Sequence, residues 1–298
     1  MSKWKAWLHA ARLRTLPLAL AVVIMGGILA YADGYVNGAA FLLAILTTLI
    51  LQILSNFAND YGDFTSGVDV EGRVGPQRAL QGGLITPVQM RQGLTITAVL
   101  ALISGIALLL VAELSRQGFI FFLILGVLAI IAAITYTVGK RPYGYVGLGD
   151  LSVFVFFGLA GVLGAHYLIH GVFNPINVLM AASCGFFSVG VLNLNNIRDR
   201  EADKRHRKNT LPVVMGPQNA RRYHVFLIVA GWSTAIVYTV LNYHSWSQWL
   251  IVLSLPLFLR NVRSLWKLRE QEIDPLLKQL AIATLLFVIL AGIGWMLV

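Results

Sequence analysis

Long apolar runs broken by short polar turns fill the chain from residue 15 to its end. A bilayer's hydrocarbon core takes roughly 20 apolar residues of α-helix to cross. Nine runs approach that length: 15–32, 39–59, 94–112, 119–138, 150–168, 176–195, 223–242, 246–262 and 276–297. Turns such as Asp33-Gly34-Tyr35-Val36-Asn37-Gly38 and His170-Gly171-Val172-Phe173-Asn174-Pro175 separate them. This pattern predicts an all-α, polytopic membrane protein of about nine transmembrane helices. No Pro- or Ser-rich linker divides the chain, so residues 1–298 read as a single transmembrane domain.

Charge adds an orientation. Only 12% of residues are charged and 57% are hydrophobic, whereas soluble domains carry about 25% charged residues. The net charge of +10 could suit nucleic acid, but the basic residues fall between the apolar runs, and no nucleic-acid partner is expected. With the N-terminus inside, segments 1–14, 60–93, 139–149, 196–222 and 260–275 hold 4, 3, 2, 8 and 4 Lys or Arg, which is 21 of 23. Cytoplasmic loops carry such an excess. The expectation is a cytoplasmic N-terminus, an odd number of crossings and a C-terminus outside. Lys3, Trp4, Lys5, Trp7 and Arg12 suit a short interfacial helix. Ala30-Tyr31-Ala32 mimics a signal-cleavage site, but spans follow it without a soluble domain, so it reads as uncleaved. Cys184 sits in an apolar run and reads as packing.

Two polar clusters stand out against this background. The first is Asn56-Phe57-Ala58-Asn59-Asp60-Tyr61-Gly62-Asp63, continuing to Gly67-Val68-Asp69; the second is Asn193-Leu194-Asn195-Asn196-Ile197-Arg198-Asp199, continuing to Asp203. A carboxylate at a helix centre costs about 2.5–3.5 kcal/mol on insertion scales, so acids beside hydrocarbon are functional candidates. Gln52, Asn56, Asn59, Asp60 and Asp63 recur at three- and four-residue steps, and Asn195, Asp199 and Asp203 at four, so each set shares one helix face. Both fall at predicted cytoplasmic ends. Asn carbonyls and Asp carboxylates are hard oxygen donors of the kind Mg²⁺ takes, usually with substrate phosphates completing the shell. Arg73 and Arg78 follow the first cluster; Arg198, Lys204, Arg205, Arg207 and Lys208 surround the second. Arg78 and Lys208 are the expected diphosphate ligands among them. A third segment, Tyr136 to Asp150, combines four glycines and a proline with Lys140, three tyrosines and Asp150. It predicts a tight loop that brings charge and hydroxyls beside a cavity. The six histidines show no metal-ligand spacing.

Asn59-x3-Asp63-x3-Gly67-x-Asp69 and Asn195-Asn196-x-x-Asp199-x3-Asp203 resemble the paired aspartate motifs of the UbiA superfamily of intramembrane prenyltransferases. Segment 136–150, Arg14-Thr15-Leu16-Pro17 and the stretch Arg78 to Pro87 resemble that family as well. The likeness runs nearly the full length, and the branch most resembled is the bacterial one that prenylates 1,4-dihydroxy-2-naphthoate in menaquinone synthesis. The resemblance implies nine helices around a central cavity in the bacterial inner membrane. It implies Mg²⁺-dependent transfer from a polyprenyl diphosphate, such as octaprenyl diphosphate, with loss of diphosphate and CO₂. On that footing Asp63, Asp199 and Asp203 would hold Mg²⁺, with Asn59 and Asn195 supporting and also near the diphosphate, and Asp60 and Asp69 in reserve. Lys140, Tyr143 or Asp150 would contact the diphosphate or help deprotonate the acceptor. One departure is visible: where the family commonly has Gly-Lys-Thr-Leu, this chain has Arg207-Lys208-Asn209-Thr210-Leu211. Two registers also stay open, Asn56 to Asp60 and Asn59 to Asp63; Gly67 and Asp69 favour the second.

Three rivals remain at this level. A different aromatic acceptor, such as 4-hydroxybenzoate, would need the same acids. A proton- or cation-coupled transporter would place its acids nearer the midplane. A lipid head-group phosphotransferase would be expected to carry an Asp-x2-Asp-Gly pattern, which is absent from the sequence.

Overall fold

The computed structural model describes residues 2–67 and 79–298. Asp69, Arg73 and Arg78 lie outside the described residues. Regular structure among the described residues is helical: α1 (Lys3–Ala10), α2 (Leu16–Ala32), α3 (Gly38–Thr65), α4 (Pro87–Val111), α5 (Arg116–Thr135), α6 (Gly149–Val153), α7 (Gly164–His170), α8 (Val178–Arg205), α9 (Leu211–Leu241), α10 (Leu255–Lys267) and α11 (Asp274–Met296). A π-helical stretch, Phe154–Leu163, fuses α6 and α7 into one crossing. A 3-10 stretch, Trp246–Ser254, runs directly into α10.

Among the described residues, eight helices are long and apolar enough to cross a membrane. The remaining expected span, 246–262, is the 3-10/α composite. Its 9 and 13 residues rise about 37 Å together, more than a hydrocarbon core requires. Arg260, Arg263 and Lys267 lower its hydropathy.

Polar turn residues that separate the apolar runs also start helices. Asn37, Thr86 and Ser115 accept from the amides of Ala40 (3.1 Å), Gln89 (3.2 Å) and Gly118 (3.1 Å), each satisfying one of the orphan donors of a first helical turn.

Two apolar clusters position the site. Phe187 of α8, Trp232 of α9, Phe258 of α10 and Phe287 of α11 interlock, with ring centroids 4.5 Å (Phe187–Phe258), 5.4 Å (Phe187–Phe287) and 5.5 Å (Trp232–Phe287) apart. In the other half, Leu54, Phe57 and Met90 gather α3 and α4 around α1. There Trp7 meets Phe57 edge-on at 5.3 Å, and Ala6 and Ala10 are fully buried. The N-terminal segment is therefore docked into the bundle, with Trp4 left facing outward. Between the halves, α6–α7 crosses close to α8. A Cβ on Gly158 would stand 2.8 Å from the Cα of Gly185, an approach that only small residues permit.

The ends of the bundle differ. At one, Asp33 gathers His166 (2.7 Å), Asn174 (2.8 Å) and Asn177 (3.0 Å). This explains His166 as a structural residue. At the other end Arg198 of α8 and Arg14 reach Asp274 at the start of α11.

Candidate functional site

The two polar stripes face each other across one cavity of about 180 Å³, which Asn59, Asp63, Asn195, Asp199 and Asp203 all line. Hydrogen bonding, more than register, separates the remaining polar residues of α3 from this set. Asn56 donates to the Ala11 carbonyl (2.9 Å) and the Thr15 hydroxyl (3.0 Å), and buried Asp60 pairs with Arg12. Asp60 thus ties α3 to the α1–α2 junction and does not line the cavity, which corrects its reserve place among the metal donors. Asn59 and Asp63, three residues further along α3, open inward, and Asn56 borders the same cavity.

Lys208 spans the two stripes. Its Nζ lies 3.9 Å from Asp63 Oδ1 and 3.6 Å from Asp203 Oδ1, and 5.0 Å from the centre of the Tyr145 ring. The Tyr145 hydroxyl donates to Asp63. Lys208 is brought over Asp203 because Arg207, two residues past the end of α8, turns the chain in a left-handed conformation (φ 58°), and the Lys208 amide then donates to the Asp203 carbonyl at 2.9 Å. A glycine is the usual residue for such a cap, so Arg207 stands where the family's glycine was missed.

Arg198 is a buried hub that the sequence did not single out. Its guanidinium forks onto both Asp199 oxygens (2.8 and 2.7 Å), donates to Asn195 Oδ1 (2.8 Å) and reaches Asp274. Asp274 also accepts from Arg14 at 3.0 Å. The result is a chain of alternating charge, Asp199–Arg198–Asp274–Arg14. An acid opening the last apolar run was the one available signal for Asp274, and helix starts attract acids for dipole reasons alone.

The 136–148 loop closes one wall. Gly62 lets it lie against α3: a Cβ there would be 2.4 Å from the Thr137 carbonyl oxygen. Thr137 Oγ1 donates to the Ala58 carbonyl at 2.9 Å. Tyr143 donates to the Ala132 carbonyl (2.8 Å) and meets Ser152 (3.0 Å). Burial raises its phenol above the ordinary value, partly offset by Ser152. The Tyr143 hydroxyl is already engaged as a donor to a backbone carbonyl, so its expected role as a base for the acceptor has no geometric support. Lys140 is exposed and lines neither this cavity nor the next. The loop's anchors, Tyr143 and the Gly144 amide on the Tyr136 carbonyl (3.1 Å), leave it at the outer turn. Asp150 is buried toward Tyr223 and likewise lines neither cavity. The expected diphosphate or proton-transfer roles of Lys140 and Asp150 thus have no geometric support here.

A second, apolar compartment of about 380 Å³ adjoins the first, and Asn59, Tyr136, Val153, Phe157 and Leu192 border both. Leu102, Ile106 and Val127 line it and are also exposed on the outer surface, so it opens sideways toward lipid. Water-compatible acids and amides at one end and hydrocarbon at the other suit a molecule with an anionic head and an apolar tail.

The donor set fits Mg²⁺. Asp63, Asp199, Asp203, Asn59 and Asn195 offer hard oxygens only, buried Asp203 Oδ2 has no hydrogen-bond partner among the described residues, and the Lys208 ammonium between Asp63 and Asp203 marks a place that favours a cation. Among the described residues no three acid, His or Cys side chains form a ready-made cage. A Mg²⁺ ion held by these oxygens would take substrate phosphates and water to complete its shell.

Similar proteins bear on this geometry. The chain is 46% identical over 275 residues to a 1,4-dihydroxy-2-naphthoate octaprenyltransferase of Escherichia coli, covering 92% of this chain and 88% of that protein. Its Haemophilus influenzae counterpart is 42% identical, with 98% and 96% covered. A solved UbiA homologue from Aeropyrum pernix shares the fold (TM-score 0.72, 19% identity, 96% and 98% covered). So does one from Archaeoglobus fulgidus bound to DMAPP and Mg²⁺ (TM-score 0.63, 17% identity, 98% and 100% covered). With residues 19–285 matching the model of the UbiA prenyltransferase family, the chain belongs to that family, as its paired aspartate motifs implied.

Proposed function

We propose that this protein transfers a polyprenyl group, octaprenyl in keeping with its relatives, from the diphosphate to 1,4-dihydroxy-2-naphthoate, releasing diphosphate and CO₂. The observation that carries the reading is an acid- and amide-lined cavity continuous with an apolar one open to lipid. The high identity to naphthoate prenyltransferases supports the acceptor. The distribution of Lys and Arg supports a cytoplasmic-membrane protein with its N-terminus and acid cavity on the cytoplasmic side and its C-terminus outside.

Asp63, Asp199 and Asp203, aided by Asn59 and Asn195, would hold Mg²⁺. The ion, when bound, neutralises charge on the leaving diphosphate. Lys208 and Arg14 supply fixed positive charge along the same cavity, so charge that develops on the leaving group meets donors already in place. Tyr145 orients Asp63, and Arg198 orients Asp199 and Asn195. Val153, Phe157 and Leu192 place the allylic carbon where the two compartments meet and keep water from it. The ring carbon of the acceptor bearing the carboxyl group attacks there, and CO₂ leaves.

The test incubates membranes containing the protein with octaprenyl diphosphate and, separately, 1,4-dihydroxy-2-naphthoate, 4-hydroxybenzoate and homogentisate, followed by mass spectrometry. A prenylated, decarboxylated naphthoquinol is expected. Product from another acceptor alone overturns the acceptor assignment. Full turnover by Asp199→Ala would remove that acid from the reaction.

A further inference from the structure

The outer face of α10 takes no part in the reaction described above. Its inner positions, Phe258, Asn261 and Leu265, are buried in the bundle. Outward, Pro256, Leu259, Arg260, Arg263, Ser264 and Lys267 line a shallow groove of about 320 Å³. Arg260, Arg263 and Lys267 follow at steps of three and four, so they are neighbours on one helix face. Among the described residues none of the three makes an ion pair or hydrogen bond. The nearest acids in sequence are engaged elsewhere: Glu270 accepts from Arg200 at 2.9 Å and Glu272 from the Arg269 amide at 2.9 Å. By contrast Arg14, Arg198, Arg200 and Lys208 all have carboxylate partners.

Position identifies what could neutralise these charges. Arg221, early in α9, donates to the Leu265 and Leu268 carbonyls, and Arg200 of α8 reaches Glu270. The groove therefore lies at the same end of the bundle as the acid cavity. Toward the bundle's middle, Leu253 is 66% exposed and Leu259 44%, a surface for hydrocarbon. Trp266, 47% exposed, lies between Arg263 and Lys267 in sequence on α10, and such rings settle at headgroup level. Anions at that depth are phospholipid phosphates. Arg forks match phosphate oxygens in pairs and Lys adds a point charge. A free phosphate would leave the apolar floor unused, whereas a lipid covers both.

We propose that this groove binds an anionic glycerophospholipid. Its headgroup rests on Arg260, Arg263, Ser264 and Lys267, and an acyl chain runs along Pro256, Leu259 and Leu253. The bound lipid braces the outer surface of the composite 246–267 helix.

The test reconstitutes the full chain in phosphatidylcholine nanodiscs containing some phosphatidylglycerol. Retained lipid is counted by native mass spectrometry for wild type and for the triple variant R260Q/R263Q/K267Q. At about fivefold in affinity per juxtamembrane cation, the variant's retention of phosphatidylglycerol falls roughly a hundredfold, with phosphatidylcholine unchanged. Equal phosphatidylglycerol retention by the two proteins overturns the proposal. So does displacement of the lipid from wild type by inorganic phosphate alone. A second measurement does not depend on the triple variant folding. Quenching of Trp266, taken as wild type minus Trp266→Phe, is compared between brominated phosphatidylglycerol and brominated phosphatidylcholine. Stronger quenching by the anionic lipid is expected; equal quenching refutes the site.

Discussion

Replacing Asp274 by Asn tests how the buried charge chain sets metal affinity. The change keeps shape and removes one negative charge. Arg198, its side chain 1% exposed, then has Asp199 as its remaining charged partner in the chain. A hydrogen bond to a charged group is worth about 1.5–3 kcal/mol. Asp274's side chain is 30% exposed, and solvent takes over part of its role, so the low end, about 1.5 kcal/mol, applies. Two consequences share a sign. Arg198 concentrates its donors on Asp199 and competes harder with an incoming cation, and its uncompensated charge repels that cation. About 1.5 kcal/mol corresponds to roughly tenfold, so the Mg²⁺ concentration for half-maximal prenyl transfer rises roughly tenfold, with kcat at saturating Mg²⁺ little changed. Transfer is measured across a Mg²⁺ titration, and Mn²⁺ binding is followed in parallel by electron paramagnetic resonance without acceptor. Asp274→Glu should restore most of the affinity. An unchanged Mg²⁺ midpoint, with transfer lost equally at every concentration, would show that Asp274 only supports the fold.

Two substitutions probe the walls of the cavity. Gly62→Ala places a methyl group 2.4 Å from the Thr137 carbonyl oxygen, so the 136–148 loop must lift at a cost of about 1–3 kcal/mol. Thermal unfolding and transfer rate should fall together, and a variant unchanged in both would refute the need for this close approach. Arg207→Gly relieves a left-handed residue at φ 58°; left-handed backbone costs a non-glycine residue about 1–2 kcal/mol, and glycine's extra chain entropy returns part of that. The melting temperature should rise by a few degrees with transfer retained, and a fall would show that the Arg207 side chain contributes more than its backbone strain costs.

What the sequence disclosed and what it hid follow from the range of the interactions. Helical spans depend on apolar residues close together in the chain, so hydropathy finds them. The Asn59–Asp63 and Asn195–Asp203 stripes depend on helical period, which is equally local, and so their facing inward was legible. The 3-10 start at Trp246 and the π stretch at Phe154 were not: the one lies against α11 and the other against α8, and no local period marks either. Asp60 was misread for a similar reason: helical spacing puts it beside the stripe, but Arg12, 48 residues away, turns it to another duty. Asp274 joins Arg14 across 260 residues, and no pattern within either segment announces the pair. Lys140 and Asp150 carry fitting chemistry in an unusual loop, but the loop's anchors send one outward and bury the other away from the cavity.

The sideways mouth of the apolar compartment bears on substrate length. Under the proposed reaction, only the units next to the diphosphate need to enter the protein. The remainder stays dissolved in acyl chains before, during and after transfer. Lengthening the tail then changes neither its solvation nor its contacts with the pocket. A protein built this way cannot measure what it carries, and side-chain length in the quinone pool is dictated upstream, by whichever synthase assembles the diphosphate.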